Sequence, residues 1–158
     1  MSTIKRLAVL LAGEFRTWPL ASKSLFKFFE GRAEQIDYYF VTWDYKAIPQ
    51  EDNSILPVTA QDIIEPFNTH GRTLVSYEIV KPIGKKTATF YNQAYLAKIA
   101  NFLKKRQERL NNFVYDQVIE TRHDIYLSKD KNVEFEYTLC NDFEYESNSP
   151  HNLNPVKD

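Results

Sequence analysis

The chain has very little cysteine or glycine, no excess of either charge and no long apolar run. Its 158 residues include one cysteine, Cys140, so an internal disulfide is excluded and a reducing compartment is predicted. The net charge of -1 gives no basic footprint for nucleic acid. The apolar run at residues 7–12 is too short for a membrane span and lacks the layout of a signal peptide. We therefore expect a cytoplasmic protein that binds no nucleic acid and spans no membrane.

Aromatic and aliphatic residues are plentiful, and they recur with the periods of strands and helices. Hydrophobic residues make up 43% of the chain and aromatic residues 15%, which is enough for a packed core. Residues 4–12 are predicted as the first strand, because the unbroken apolar run LAVLLA at 7–12 is typical of a strand that is buried on both faces. Residues 36–43, 73–80 and 115–119 also have the composition of strands.

Helical patterns lie between these strands. Helices are predicted over residues 19–30 with an apolar stripe that includes Leu20, over 59–66 with Pro66 beyond its end, and over 88–110 with Thr87 as its cap. Strands that alternate with helices predict an α/β fold, with a mostly parallel sheet, helices on both faces and Rossmann-like layering. We assign residues 1–140 to a single domain, in which 133–139 is a further short strand, and residues 141–158 to a polar C-terminal tail.

The most informative segment is the strand that begins at Tyr115, because it becomes charged toward its end. Glu120, Arg122 and Asp124 fall at every second position, so they would share one face if the strand ran that far. An unpaired buried charge is costly, and such a row therefore suggests a site. The alternative is a strand that leaves the core with a local arginine–carboxylate pair. His123 would point the other way, and we interpret it as a structural histidine.

Polar residues also follow the first two predicted strands. Gly13 ends the first strand and opens a loop with Glu14 and Arg16, where a glycine allows close approach and an arginine matches a phosphate. The alternative there is an ordinary strand-to-helix turn with a surface arginine. Asp44 directly follows the second strand, and either accepts hydrogen bonds from a ribose or base or caps the next turn. Because ligands bind beyond the carboxyl ends of parallel strands, these groups together predict a site.

Asp124 is the strongest candidate for a metal ligand, with Glu120 as a second carboxylate. A divalent cation such as Mn²⁺ or Mg²⁺ takes oxygen ligands and often bridges substrate phosphates. Arg122 would neutralise those phosphates, or pair with one of the two carboxylates. Asn92 and Gln93, early in the longest predicted helix, would reach a ligand if that end of the helix opens into the cleft.

Four segments, in this order, carry a family resemblance: LAVLLAGEFRTW at 7–18, IDYYFVTWD at 36–44, ATFYNQAYLAKIANFLKK at 88–105 and YDQVIETRHDIYL at 115–127. Together they resemble the GT-A-like nucleotide-sugar glycosyltransferases of bacterial and phage surface-polysaccharide clusters. In that group the first segment reads as an apolar strand and a G-x-x-R-T/S loop. The last segment reads as a strand that ends in R-x-R-x-D.

The resemblance implies a glycosyltransferase, or its donor-binding half, with a GT-A-like fold. Such a protein transfers a sugar from a nucleoside-diphosphate sugar to a glycan or lipid-linked acceptor, with Mn²⁺ or Mg²⁺. By matching positions, Gly13 and Arg16 would contact the nucleotide or its phosphates, and Asp44 would lie near the nucleoside. Asp124 would be the metal-associated aspartate, and Arg122 would lie beside the diphosphate.

The chain departs from the family pattern in three ways. Glu120 stands where the first arginine of the motif would be, a D-x-D pair is absent, and only a short polar stretch follows Asp124. We therefore interpret the chain as a short or truncated form. The catalytic base is unassigned among the later carboxylates Asp142, Glu144 and Glu146. Two alternatives are a non-catalytic module that binds a nucleotide or sugar, and an interaction domain that forms a homodimer.

Overall fold

Four strands and three helices make up the described part of the chain. The computed structural model describes residues 4–48, 50–52, 54–82 and 89–126, with side chains from residue 92 onward in the last helix. The strands are β1 (Arg6–Phe15), β2 (Gln35–Lys46), β3 (Thr73–Val80) and β4 (Gln117–Thr121). The helices are α1 (Trp18–Phe29), α2 (Ala60–Thr69) and α3 (Thr89–Asn111). The predicted strand at 133–139, the tail at 141–158 and the Thr87 cap lie outside the described residues.

All four strands are parallel, in the order β3-β2-β1-β4. After β1 the chain moves outward through β2 and β3, and α3 then returns it to β4 on the opposite side of β1. The direction in which strands are added to the sheet therefore reverses between β1 and β4. The predicted α/β fold with a parallel sheet is confirmed, and the strand order is compatible with Rossmann-like layering.

Helices cover both faces of the sheet, as predicted. Successive strand side chains point to opposite faces, so Val9 and Leu11 pack with α1 and α2, whereas Ala8, Leu10 and Ala12 pack with α3. The α1 face is filled by a large aromatic cluster of Trp18, Phe26, Phe40 and Phe67. Among the described residues, no helix is long and apolar enough to cross a membrane.

The first two strands run further than the sequence predicts. The predicted break of β1 at Gly13 is wrong, because the strand continues to Phe15, which pairs with Lys46. Asp44 does not follow β2 but lies inside it. Gly13 pairs with Thr42 and Phe15 pairs with Lys46, so β2 carries extra residues opposite Glu14 and bulges there. Glu14 and Asp44 therefore lie within the strands at the carboxyl end of the sheet, and not in flanking loops.

Two helix predictions are also wrong in detail. Leu20 is 70% exposed, because the buried face of α1 is formed instead by Trp18, Ala21, Leu25 and Phe28 with their neighbours. Pro66 lies inside α2 rather than beyond it. A capping box between Thr59 and Asp62 fixes the start of α2, and the buried ring of Pro66 packs on the same side as Phe67. Tertiary packing thus outweighs the helix-ending tendency of proline at this position.

Candidate functional site

The charged side chains predicted from the sequence meet at the carboxyl ends of β1 and β4. These two strands are hydrogen-bonded neighbours, paired from Leu7 with Gln117 to Leu11 with Thr121. The direction in which strands are added to the sheet reverses between β1 and β4. In open parallel sheets, ligands bind outside the carboxyl ends of the strands at such a reversal, and we refer to this place beyond β1 and β4 as the crevice.

Arg122 and Asp124 form a close pair just beyond β4. The strand ends at Thr121, so the predicted row of three charged side chains on one strand face is wrong, and the local arginine–carboxylate pair is what the structure shows. Arg122 donates from Nε to Asp124 Oδ1 at 2.8 Å and from Nη2 to Oδ2 at 2.6 Å. The Asp124 side chain is 5% exposed and that of Arg122 is 44% exposed, so the outer edge of the guanidinium faces solvent.

A second arginine–carboxylate pair lies at the carboxyl end of β1, where Glu14 is in the strand and Arg16 follows it. Arg16 donates from Nε to Glu14 Oε2 at 3.0 Å, and its Nη2 contacts the same oxygen. The other oxygen of Glu14 accepts a hydrogen bond from Tyr45 Oη at 3.4 Å, which the bulge in β2 brings opposite Glu14. The Arg16 side chain is 46% exposed. Each of the two neighbouring strands thus ends in an arginine that is held by its own carboxylate.

The two pairs are close enough to influence each other's charges. Burial alone would raise the pKa of Asp124, but hydrogen bonds from Arg122 and the positive charges of Arg122 and Arg16 hold it below its usual value. The hydrogen bonds to Asp124 raise the pKa of Arg122, and the negative charge of Glu14 adds to this effect. The hydrogen bonds and opposite charges therefore keep Arg122 and Asp124 ionised at neutral pH.

His123 supports the turn that carries Arg122 and Asp124. It is fully buried, its ring stacks on Phe40 at a centroid distance of 4.3 Å, and its Nε2 donates to the Gly13 carbonyl oxygen at 3.1 Å. Burial lowers the pKa of His123 from 6.5 to about 4, so the ring is neutral. The interpretation of His123 as a structural histidine is confirmed.

Gln93 fixes the end of β1 from the opposite face. Its Nε2 donates to the Ala12 carbonyl oxygen at 2.8 Å. A Cβ added to Gly13 would lie 3.6 Å from both Gln93 Oε1 and His123 Nε2, and 3.9 Å from Arg122 Cγ. The space beside the Gly13 Cα is therefore bordered by three side chains of this chain. Gln93 does reach the predicted cleft, and there it binds the strand itself.

Asp44 differs from the other predicted site residues. Its carboxylate is half-buried and, within the described part of the chain, has no hydrogen bond or ion pair. Only its main chain is engaged, since its carbonyl oxygen accepts a hydrogen bond from the Val58 amide at 3.0 Å. The alternative prediction that Asp44 caps a turn is not what the structure shows. The Asp44 oxygens are not among the fully buried unpaired polar atoms of the described residues, so water reaches them and a ligand could take its place.

The carboxylates of Asp124 and Glu14 are paired with arginines and, among the described residues, are not grouped with further metal-binding side chains. In residues 4–126, apart from the gaps given above, no group of three histidine, cysteine, aspartate or glutamate side chains could hold a metal. Both oxygens of Asp124 are occupied by Arg122, and Glu14 is occupied by Arg16 and Tyr45. A cation at either carboxylate would compete with the arginine that the carboxylate already binds.

Glu14 and Tyr45 are the residues of this site whose roles the sequence left unassigned. In the sequence, Glu14 stands in the predicted loop without a role, and Tyr45 lies beyond the predicted second strand, directly after Asp44. No spacing rule marks a bulge, so nothing in the sequence places Tyr45 opposite Glu14. Comparison of the chain with protein-family models, with curated proteins and with solved structures gives no match. The geometry of the crevice is therefore the basis on which a function is assigned.

Proposed function

We propose that this chain binds a nucleoside-diphosphate sugar in the crevice between β1 and β4, and transfers the sugar to a glycan or lipid-linked acceptor. The observation that carries the proposal is the presence of two partly exposed arginines, Arg16 and Arg122, beyond two neighbouring parallel strands. The strand order reverses at this point, which is where nucleotides bind in open parallel sheets.

The two guanidinium groups are suited to a diphosphate. Each arginine donates hydrogen bonds to a carboxylate from Nε and from one Nη2 hydrogen. Its Nη1 hydrogens and its other Nη2 hydrogen can therefore donate to a ligand. Arginine binds phosphate oxygens with paired, charge-assisted hydrogen bonds. Because the carboxylates already hold both side chains, little side-chain freedom would be lost when the phosphates bind.

Asp44 supports recognition of the nucleoside. It lies near the carboxyl end of β2, next to β1, and its carboxylate lacks a partner among the described residues. A carboxylate in such a position accepts hydrogen bonds from ribose hydroxyls. Arg16, Arg122 and Asp44 would thus contact the diphosphate and the sugar of the nucleoside from adjacent strands.

The chemistry follows from where charge develops during transfer. When the bond between the donor sugar and the diphosphate breaks, negative charge builds on the leaving phosphate oxygens. Arg16 and Arg122 would stabilise that charge because they are already oriented and partly desolvated. A divalent metal is the other common means of stabilising such charge. The base that activates the acceptor is unassigned.

Binding by the whole chain tests this proposal. Isothermal titration with nucleoside diphosphates and nucleotide sugars should show binding by the wild type and a marked loss in Arg16→Ala and Arg122→Lys. Arg106→Ala is the matched control, because Arg106 is exposed on α3 away from the crevice. Release of free sugar or transfer to an acceptor would then establish catalysis. Binding with neither activity would favour the non-catalytic module, and no binding at millimolar ligand would contradict the proposal.

The homodimer prediction has no specific support from the described surface. The exposed large apolar side chains of the described residues are spread over several elements and loops: Leu20, Ile48, Ile55, Leu56, Tyr77, Tyr95, Phe102, Leu110, Val114 and Tyr126. Exposed apolar residues that are scattered singly are normal on a monomer. A homodimer stays a prediction, which sedimentation velocity over a range of protein concentrations would test.

A further inference from the structure

We infer that the donor diphosphate is held directly by Arg16 and Arg122 without a bridging cation, and that Asp124 is a positioning residue for Arg122 and not a metal ligand. This inference rests on the proposed function, because it concerns how the same crevice holds the donor. It replaces the metal-associated role that the family resemblance implies for Asp124.

The exposure of the pair shows which member can meet a ligand. The Asp124 side chain is only 5% exposed, whereas the Arg122 side chain is 44% exposed. The Asp124 main chain is also fixed, since its carbonyl oxygen accepts a hydrogen bond from Thr17 Oγ1 at 3.2 Å. A ligand that enters from solvent therefore reaches the guanidinium before it reaches the carboxylate.

A cation at Asp124 would be opposed by the charge it displaces. Both carboxylate oxygens accept hydrogen bonds from Arg122, so an incoming metal ion would compete with these bonds, and coordination by both oxygens would release the guanidinium. The released guanidinium would then lie beside a doubly charged cation, and like charges at this distance repel each other strongly in a partly buried site. A phosphate group needs no such exchange, because it binds the outer N–H groups while Asp124 stays in place.

The pair on β1 repeats this arrangement. Glu14 holds Arg16 through Nε and Nη2, and Tyr45 holds Glu14 in turn. Neighbouring strands lie about 4.8 Å apart, so the arginines beyond β1 and β4 can serve adjacent phosphates of one diphosphate. Glu14 and Asp124 therefore orient two guanidinium groups. This arrangement replaces the one in which a single carboxylate holds a metal ion.

The experiment measures the affinity of the full chain for UDP, GDP, CDP, ADP and dTDP, by isothermal titration with either EDTA or Mn²⁺ in the buffer. We expect the nucleotide that binds to do so with the same dissociation constant in both buffers, within about twofold. A dissociation constant at least about tenfold weaker in EDTA would overturn the inference and leave the proposed function standing. No binding in either buffer would overturn both.

Substitution of Asp124 separates a positioning role from a metal-binding role. Asp124→Asn keeps the shape of the side chain but removes its charge, so its hydrogen bonds with Arg122 are weaker. We expect this variant to bind the nucleotide about tenfold more weakly, to the same extent in EDTA and in Mn²⁺. A metal ligand would show its loss only in Mn²⁺, and that result would overturn the inference. Mn²⁺ titrations followed by electron paramagnetic resonance should show equal, weak binding to the wild type and to Asp124→Asn without nucleotide.

A second variant keeps the test decisive if Asp124→Asn unfolds. Glu14→Gln alters the more exposed pair on β1 and should likewise weaken nucleotide binding equally in both buffers. The thermal midpoint of the variant, measured on the same sample, shows whether the protein is folded. Loss of affinity in Glu14→Gln that appears only with Mn²⁺ would overturn the inference.

Discussion

The two ends of the sheet use polar side chains in opposite ways. At the amino end, hydrogen bonds join residues that are far apart in the sequence. At the carboxyl end, the arginine–carboxylate pairs join residues only two positions apart, Glu14 with Arg16 and Arg122 with Asp124. The carboxyl end also has long-range hydrogen bonds, from Gln93, His123 and Thr17, but among the described residues the two arginines take part only in the local pairs. Under the proposed function, the two arginines serve recognition, and the long-range hydrogen bonds serve stability.

The amino end is held by a buried chain of hydrogen bonds beneath α3. Tyr115 Oη donates to Asp37 Oδ2 at 2.8 Å, and Tyr39 Oη lies 2.8 Å from Tyr115 Oη. Burial, together with the hydrogen bonds to Tyr39 and Asp37, raises the pKa of Tyr115, so it stays a hydrogen-bond donor. Nearby, Asp116 Oδ2 accepts from the main-chain amides of Lys5 at 3.0 Å and Arg6 at 2.8 Å. These contacts join β1, β2 and the start of β4.

The largest expected effect concerns His123, the buried residue beneath the carboxyl end. Its folded-state pKa of about 4 lies below the ordinary 6.5, so the unfolded chain takes up a proton first as the pH falls. The stabilisation is complete above pH 6.5 and is lost toward pH 4. We expect this group to remove about 3 kcal/mol of unfolding free energy across that window.

Urea unfolding at a series of pH values measures this effect. His123→Phe keeps an aromatic ring in the stack with Phe40 but cannot titrate, so its unfolding free energy should change less over the same window. An equally steep dependence in the wild type and the variant would show that another group is responsible.

The next largest effect is expected from Asp37→Ala, which breaks the hydrogen-bond chain at the amino end of the sheet. Asp37→Ala removes the acceptor of the buried Tyr115 hydroxyl and should lower the unfolding free energy by about 2 kcal/mol, because a buried donor is left without a partner. Nucleotide affinity should not change. Tyr39→Phe, which removes only the last hydroxyl of the chain, is the milder control. The comparison fails if Asp37→Ala weakens nucleotide binding as much as Arg16→Ala does.

The converse change, Arg16→Ala, breaks an arginine–carboxylate pair at the carboxyl end of the sheet. Arg16→Ala should change the unfolding free energy by less than about 1 kcal/mol, since the pair it breaks is partly exposed and local. The same substitution should weaken nucleoside-diphosphate binding at least about tenfold, because it removes charge-assisted hydrogen bonds to phosphate. Both quantities come from urea unfolding and titration of the same preparation. A larger loss of stability than in Asp37→Ala would contradict the comparison.

The smallest effect concerns Gly13. An added methyl group would be in ordinary contact with Gln93 and His123 at 3.6 Å, so Gly13→Ala should change the unfolding free energy by less than about 1 kcal/mol. Gly31→Ala is a useful contrast, because Gly31 has open space around it but a φ of 75° that a side chain disfavours. If Gly13→Ala weakens nucleotide binding about tenfold or more, the phosphates approach Gly13 itself.

Much of this architecture follows from the sequence. The near-continuous apolar run in β1 and the alternation of strands with helices predict a parallel sheet that is covered on both faces, and the structure confirms it. The sequence also places Arg16 and Arg122 beyond strands. Long, strongly patterned segments are predictable because the local periodicity and the burial of the core agree.

The remaining features depend on contacts that no local pattern encodes. The bulge that brings Tyr45 to Glu14 depends on the register between β1 and β2. Asp37 lies within a run typical of a strand, and its partner Tyr115 is 78 residues away. The pairing of Arg122 with Asp124, in place of a row on one face, depends on β4 ending at Thr121. Each of these features is set by tertiary structure.

The most direct test of the central claim is a map of the nucleotide contact on the isotope-labelled chain. Amide chemical shifts recorded during titration with the nucleoside diphosphate that binds should change first at residues 13–17 and 121–125, at the carboxyl ends of β1 and β4. The amides of Lys5, Arg6 and Asp116, at the amino end, should stay unchanged. Shifts that cluster at the amino end, or no shifts with any nucleotide of the panel, would contradict the account.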